Sequence, residues 1–354
     1  QAVSVSSITF GSLLQAHAMP GSTLSGASVY AGVPKSREEK VKEVHAWVDE
    51  VARRGVPPSE FVYASDWHAR LGPARPDLRH ERGTVPEVAM RHSRYGHSVA
   101  IVNAACAYNA GGGFLSGGRH ALEESLCAQS TLLPSLQVAV ERAGRERMTD
   151  SKLRPLYIPE KGVVLSRGVE LLRDGPSAGY AELPEPVWLA GVVSVAMPNR
   201  NGFVRDSPVD TRRGTAYEKV VSAKFVALLS AVSRCKADVL VIPDVGCGVF
   251  QNDPREVGRL FGIALRERGC GVQTVICTGA PAFHAKAVAA LNGSTHEVTS
   301  RAEVVRHAPS AVGAPCSFEG LRDDFFSFIS VFLPESCFGR CQDLRRSSIS
   351  SPRE

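Results

Sequence analysis

Five continuous apolar runs constrain the fold of this chain more than any other feature of its sequence. They read SVAIVN (98–103), GVVL (162–165), VWLAGVVSV (187–195), DVLVIP (238–243) and GVQTVIC (271–277). Such runs are typical of strands covered on both faces, because neither set of alternating side chains is polar. Helical patterns lie between them; the clearest begins with Asp253 as N-cap and Pro254 in the first turn, and ends at Gly269. Alternating strands and helices predict a layered α/β domain.

The predicted domain extends from residue 36 to residue 310. Ser36 and Glu39 form a capping-box pattern ahead of valines at helical spacing, which predicts an N-terminal helical part. Residues 1–35, rich in Ser, Gly and Ala, are predicted to be an irregular N-terminal extension. Residues 311–354 are predicted to be a C-terminal extension with a disordered polar end.

Charge and hydropathy argue against two classes of partner. The 41 basic and 36 acidic residues give a net charge of +5, and the basic residues are dispersed, so a nucleic-acid partner is not expected. No apolar run approaches the roughly 18–20 residues of a membrane span, so a membrane partner is not expected either. The sequence does not indicate an oligomeric state.

The cysteines and histidines show no metal-binding pattern. Nine cysteines are scattered without a CxxC pair, and ten histidines show no HExxH or comparable spacing. We therefore expect reduced, buried thiols, a reducing and cytoplasmic location, and neither a metal ion nor a cofactor. The sequence begins with Gln1 and not with Met. The expected location is therefore stated for the given residues alone and leaves a targeting segment ahead of Gln1 open.

Two glycine-rich loops follow two of the apolar runs. The first is NAACAYNAGGGFLSGGRHALEE (103–124), and the second is DVGCGVFQNDP (244–254). Ligands of α/β sheets collect where strands lead into helices, and glycines there let backbone N–H groups approach a diphosphate or a ribose. Neither loop has the GxxxxGK[ST] pattern or a GxGxxG that opens a helix. The alternative is that both loops are only tight turns.

Together the two loops resemble the microbial type of poly(ADP-ribose) glycohydrolase (PARG), a branch of the macrodomain superfamily. The family has a GGG triplet followed by Gln-Glu-Glu, which is matched here by residues 111–113 and by Leu122, Glu123 and Glu124. Its diphosphate-binding GCGxFxNDP stretch is matched by residues 246–254. The resemblance covers about residues 90–285 and implies a macrodomain-like three-layer α/β/α sandwich with a central mixed, mostly parallel sheet.

The resemblance also implies a function. A member of this family hydrolyses the glycosidic bond at the distal ribose, so we expect ADP-ribosylated proteins as substrates and ADP-ribose as the product. Leu122 stands where the family carries Gln and cannot form a hydrogen bond, which favours single ADP-ribose units over the polymer.

A set of ADP-ribose contacts on both loops is implied by the same resemblance. They are Asn103, Asn109, Gly111, Gly112, Gly113 and Phe114 in the first loop, and Gly246, Cys247, Gly248, Val249 and Phe250 in the second. The two asparagines are expected to orient the distal ribose and the two phenylalanines to stack on the ligand. Ordinary strand-end, turn or core positions are the alternative for these four residues. Cys247 is expected to be non-catalytic, because no histidine is placed by the sequence to activate it.

The adjacent carboxylates Glu123 and Glu124 suit glycoside hydrolysis. Cleavage at the anomeric carbon passes through an oxocarbenium-like centre and needs an acid that protonates the leaving group. Neighbouring residues at a helix start point about 100° apart, so the two side chains cannot share one task. The resemblance assigns Glu123 to the ribose hydroxyls and Glu124 to acid catalysis, for which burial would have to raise the pKa of Glu124. The alternative is that LEESL is a solvated first turn.

Asp244 is the third predicted catalytic acid. It follows a buried strand, where an unpartnered carboxylate is costly, and we expect it to face the glutamate pair across the ligand. Three acids around one anomeric carbon favour an arginine-linked ADP-ribose, because a guanidinium pairs with carboxylates, and predict that Asp244→Ala cuts turnover at least tenfold, or about 1.4 kcal/mol. The alternative is that Asp244 bonds backbone N–H groups of its loop.

Three functions are therefore open at this point. The first is an ADP-ribosyl hydrolase, with poly(ADP-ribose) glycohydrolase activity as its variant. The second is a macrodomain reader that binds ADP-ribose without cleaving it, and the third is an unrelated nucleotide-dependent transferase. Gly112→Val is expected to abolish ADP-ribose binding by blocking the approach of the loop backbone to the ligand.

Overall fold

The computed structural model describes residues 36–67, 75–118 and 121–293. The predicted extensions, residues 1–35 and 311–354, lie outside the described residues, as does the end of the predicted domain after residue 293.

A central sheet organises the described part of the chain. In chain order the strands are β1 (Ser59–Tyr63), β2 (Asp77–His80), β3 (Val99–Ala104), β4 (Gly162–Ser166), β5 (Glu170–Arg173), β6 (Glu182–Trp188), β7 (Gly191–Val195), β8 (Val239–Ile242) and β9 (Thr274–Cys277). Seven of them form one sheet in the order β1-β4-β7-β3-β8-β9-β2, while β5 and β6 pair separately. The five strands from β7 to β2 run parallel, and β4 is antiparallel to both of its neighbours. The sheet is thus mixed and mostly parallel, as expected.

Helices cover both faces of this sheet. They are α1 (Arg37–Arg53), α2 (Val85–Arg94), α3 (Leu122–Gln129), α4 (Leu132–Arg145), α5 (Gly214–Cys235), α6 (Pro254–Arg268) and α7 (Pro281–Leu291). Val99 and Ile101 of β3 pack into the core beneath α1 to α4, whereas Ala100 and Val102 pack into the core beneath α5 to α7. Alternate side chains of one strand therefore enter two apolar layers, which explains why the strand reads as a continuous apolar run.

Most of the elements predicted from the sequence are confirmed. Helix α1 starts at the Ser36–Glu39 capping box, and Asp253 caps α6 with its side chain. The single strand predicted over 187–195 is wrong: Leu189 donates its N–H to Val169 and Ala190 to Val99, so the chain passes there from the small ribbon into the main sheet. Strands β1 and β2 were not predicted, because their residues are only partly buried and form no continuous apolar run.

The strand order brings both glycine loops to one edge of the sheet. Strands β3 and β8 are parallel neighbours, with Val99 opposite Val239 and Ile101 opposite Val241. The loops that follow them leave from the same carboxyl edge, as the sequence predicted. Within the described ranges, no helix combines the length and the apolar character needed to cross a membrane.

Candidate active site

The first glycine loop folds into consecutive tight turns that require glycine. Gly112 donates its N–H to Asn109 O (3.0 Å) and Phe114 to Gly111 O (3.0 Å). Gly111 and Gly112 have φ values of +77° and +57°. Residues with a Cβ adopt this left-handed backbone conformation only at a cost in free energy. The turns reverse the chain after β3, so that the loop lies against the first turn of α3.

Glu123 is held at the centre of this loop by three donors. Its Oε2 accepts a hydrogen bond from Cys106 N (3.0 Å), and its Oε1 accepts from Gly111 N (3.0 Å) and from the Tyr157 hydroxyl (2.8 Å). The residue is only 3% exposed. Burial raises the pKa of Glu123 to about 7, although the three donors favour the charged form and oppose that rise.

Glu124 has one bonded and one unbonded carboxylate oxygen. Its Oε1 accepts a hydrogen bond from Gly113 N (2.9 Å), while its Oε2 is shielded from solvent and has no partner among the described residues. A Cβ atom at position 112 would lie 2.5 Å from Glu124 Oε1 and 3.5 Å from Glu123 Oε2. The two carboxylates therefore bind different donors, as expected, and both approach the bare Cα of Gly112.

This geometry gives the GGG triplet a role within the protein itself. The N–H groups of Gly111, Gly112 and Gly113 all have acceptors within the protein: Glu123, Asn109 and Glu124 in turn. They were expected to approach a diphosphate or a ribose. Instead they hold the two carboxylates, and glycine at position 112 is required because a side chain would displace Glu124.

The second glycine loop presents unused backbone donors. Asn252 anchors it, because its side-chain amide donates to Pro198 O (2.8 Å) and to Gly246 O and accepts from the Tyr217 hydroxyl (2.7 Å). The next N–H groups along the loop, those of Gly248, Val249 and Phe250, form no hydrogen bond with the described residues. Successive free N–H groups of this kind form an anion-binding concavity.

The segment after β7 ties the two loops together. Ser207 Oγ accepts a hydrogen bond from Ala107 N (2.8 Å) in the first loop, and Arg200 N donates to Phe250 O (2.9 Å) in the second. The acid pair and the free N–H groups are thus held by one connected network of hydrogen bonds.

Four of the expected ligand contacts have other roles in the structure. Asn103 is fully buried and donates to Ser194 Oγ (3.1 Å). Phe114 is 1% exposed and belongs to the core beneath α1 to α4, and Phe250 packs in the core on the opposite face. A Cβ atom at Gly246 would lie 2.5 Å from Met197 Cβ, so this glycine is required by packing. The burial of Phe114 and Phe250 favours their structural alternative, whereas the buried Oδ1 of Asn103 has no partner among the described residues. The ADP-ribose contacts of these four residues stay predictions.

The remaining expected contacts are accessible. Gly248 and Val249 form the exposed tip of the second loop, where a Cβ on Gly248 would meet nothing within 4 Å. Asn109 is exposed at the entrance of the first loop. The Cys247 thiol donates to Val245 O (3.7 Å), and burial raises its pKa to about 12, in keeping with the expected non-catalytic role.

The structure gives Asp244 a different partner from the one expected. Burial raises the pKa of its carboxyl group, and the nearby backbone N–H groups of Ala280, just ahead of α7, and of Asp244 itself oppose that rise. A Cβ atom at Gly279 would overlap Asp244 Oδ1. The carboxylate thus lies against the turn before α7, and no hydrogen bond joins it to the glutamate pair within the described residues. Its catalytic role stays a prediction.

Sequence reasoning missed Tyr157 and Cys106, which supply two of the three hydrogen bonds to Glu123. Tyr157 lies 34 residues after its partner in a segment without regular structure, so no local pattern indicates the contact. Cys106 contributes only a backbone N–H, which every residue type except proline could provide.

The fold and the site define a macrodomain-like α/β domain with an acid pair on its first glycine loop. Residues 74–174, which contain this loop and both glutamates, match the family model described as microbial-type PARG, catalytic domain. The resemblance drawn from the two loops is thereby confirmed for this region, and the family it points to is one of glycohydrolases.

Solved structures are similar to the chain as well. PARG from Thermomonospora curvata is 24% identical over 71% of this chain and 98% of that chain, with a TM-score of 0.54. The same enzyme bound to the inhibitor ADP-HPD is 26% identical over the same shares, with a TM-score of 0.52. Among curated proteins, none matches this chain. Within the described residues, no group of three or more His, Cys, Asp or Glu side chains could hold a metal ion.

Proposed function

We propose that this protein is an ADP-ribosyl hydrolase that cleaves the glycosidic bond at the distal ribose of ADP-ribosylated proteins. The observation that carries the proposal is the buried Oε2 of Glu124, which has no partner among the described residues and lies beside a fixed backbone turn. A buried oxygen of this kind is costly unless it holds or receives a proton in function. The similarity to PARG catalytic domains supports the same proposal.

The proposed mechanism uses the two loops for different tasks. The free N–H groups of Gly248, Val249 and Phe250 bind the diphosphate, which places the distal ribose at the acid pair. Glu124 donates a proton from Oε2 to the leaving atom as the glycosidic bond breaks. Water then adds its oxygen to the anomeric carbon and returns a proton to Glu124, so the site is restored without a cofactor.

Glu123 is proposed to position this acid. The resemblance assigned it to the ribose hydroxyls, but both oxygens of Glu123 already accept hydrogen bonds from the protein, whereas Oε2 of Glu124 accepts none from the described residues. By holding Cys106 and Gly111, it fixes the turn from which Gly113 bonds Glu124.

The proposed substrate carries single ADP-ribose units. Leu122 stands where PARG enzymes carry Gln, and its apolar side chain packs against the core, so it offers no hydrogen bond to a further ribose of a polymer. The preference for an arginine linkage depended on Asp244 facing the acid pair. Because the Asp244 carboxylate lies against the turn before α7, the proposal does not include that preference.

A substrate panel tests this proposal. The purified protein is incubated with poly(ADP-ribose) and with peptides mono-ADP-ribosylated on arginine, serine or glutamate, and free ADP-ribose is quantified by mass spectrometry. We expect release from at least one peptide and slow release from the polymer. Faster release from the polymer would overturn the mono-ADP-ribose assignment. Tight ADP-ribose binding in calorimetry without release from any substrate would instead identify a reader.

A further inference from the structure

A cavity of about 360 Å³ lies next to the first glycine loop, and Val220 and Lys224 of α5 form part of its wall. Its apolar wall includes Ala107, Leu156, Ile158 and Met197. The volume falls within the range of small-ligand sites. The cavity is separate from the acid pair: Leu156 and Ile158 line it, while Tyr157 between them directs its hydroxyl to Glu123.

Lys224 of α5 lines this cavity and is only 4% exposed. An ammonium group has three N–H donors to satisfy, yet Lys224 forms no hydrogen bond or salt bridge with any residue in the part of the chain that the structure describes. Burial lowers its pKa to about 8, although the nearby charges of Glu160 and Asp210 oppose this effect and that of Arg212 adds to it. The Lys224 Nζ is not one of the solvent-shielded polar atoms that lack a partner, so the ammonium group reaches the open volume of the cavity.

The other charged groups that line the cavity are already paired. Arg212 binds both Asp210 (2.7 Å) and Glu160 (2.9 Å). Asp150 accepts a hydrogen bond from the Tyr108 hydroxyl (2.6 Å) and forms a salt bridge with Arg154 (2.9 Å). The acids therefore have donors, and the group in this cavity that lacks a partner is a cation that needs acceptors.

We propose that this cavity binds a small organic anion, whose carboxylate or phosphate oxygens accept hydrogen bonds from Lys224 and whose apolar body lies against Ile158 and Met197. A cationic ligand would find the acids already bonded and would be repelled by Lys224. A ligand here would contact the segments that supply two of the donors to Glu123, because Ala107 follows Cys106 and Leu156 precedes Tyr157 along the chain. It would not touch the acid pair itself.

The test compares probes of one shape and different charge. Benzoate, neutral benzamide and cationic benzamidine are titrated into protein with ¹³C-methyl-labelled methionine, followed by ¹H–¹³C NMR. Met197 lines the cavity and serves as the reporter, while Met90, buried in the core on the other face, serves as the internal reference. We expect benzoate to shift Met197 alone with a Kd below roughly 1 mM, and at least tenfold tighter than benzamide or benzamidine. Phenyl phosphate in a parallel titration distinguishes a phosphate ligand from a carboxylate.

Two variants and a pH series complete the test. Lys224→Met keeps the length of the side chain and removes the charge, so benzoate affinity should fall at least tenfold, whereas Lys219→Met on the exposed side of α5 should leave it unchanged. Raising the pH through about 8 should also weaken benzoate binding to the unmodified protein, because Lys224 then loses its proton. Equal binding of the three benzene probes, no shift of Met197 with either anion, or unchanged affinity in Lys224→Met would each overturn the proposal.

Discussion

Gly112→Ala should inactivate the protein with little loss of fold, because the added methyl group meets the carboxylate of Glu124. The new Cβ would lie 2.5 Å from Oε1 and 3.0 Å from Cδ, so the carboxylate must retreat by about 1 Å. That movement breaks the 2.9 Å hydrogen bond from Gly113 N, worth about 0.5–1.5 kcal/mol. A positive φ with a Cβ adds about 1–2 kcal/mol. A catalytic group displaced by about 1 Å costs on the order of 100-fold in turnover.

The chain offers a matched control in Gly168→Ala. Gly168 has a φ of +66°, close to the +57° of Gly112, and a Cβ there would meet nothing within 4 Å. Gly168→Ala therefore loses stability only through the unfavourable backbone conformation, because its new methyl group displaces no side chain. Urea denaturation should show that both variants are less stable than the parent, with the lower free energy of unfolding in Gly112→Ala. ADP-ribose release should fall about 100-fold only in Gly112→Ala. Full activity in Gly112→Ala would refute the reasoning, as would an equal loss of activity in Gly168→Ala.

Four further predictions follow from the site. Burial raises the pKa of Glu123 from its ordinary 4.5 to about 7, so the folded protein binds more protons than the unfolded chain between these pH values. The free energy of unfolding should therefore fall by about 3 kcal/mol as pH rises through this range. Urea denaturation at a series of pH values measures this fall, which should be absent in Glu123→Gln. Tyr157→Phe removes one donor to Glu123, which should raise the pKa of Glu123 further. In the same assay, the fall in stability should therefore continue to a higher pH. Asp244→Ala should lower the melting temperature but keep turnover within about threefold of the parent, because the carboxylate packs against the turn at Gly279; a tenfold loss in a peptide-hydrolysis assay would restore its catalytic assignment. Gly248→Val should weaken ADP-ribose binding at least about tenfold in calorimetry at unchanged stability, because its side chain would enter open space beside the free N–H groups, and unchanged affinity would exclude that loop as the diphosphate site.

The sheet and the location of the site could be predicted because they depend on short-range patterns. Strand β3 reads as one apolar run because both of its faces are buried, and the loops after β3 and β8 contain their glycines within a few positions of the strand end. The glutamate pair could be assigned to the site on the same grounds. Such features need no knowledge of which distant segments meet.

The hydrogen-bond partners inside the site could not be predicted, because they depend on contacts across the fold. Nothing near Asp244 in the sequence indicates that its carboxylate lies against Gly279, 35 residues later. Likewise, the GGG triplet is compatible with a diphosphate cradle and with a cradle for the protein's own carboxylates. The positions of Glu123 and Glu124 relative to the triplet decide between the two, and only the three-dimensional structure contains them.

Glu124→Gln tests the central claim most directly, because Gln keeps the shape of the side chain and the acceptor for Gly113 N but has no acidic proton. ADP-ribose release from a mono-ADP-ribosylated peptide is measured in single-turnover mode, with ADP-ribose affinity measured by calorimetry and with Glu141→Gln on the exposed face of α4 as the control. We expect release to fall by about 100- to 10,000-fold in Glu124→Gln alone, with the ADP-ribose Kd within about twofold of the parent value. Release at the parent rate in Glu124→Gln would contradict the account.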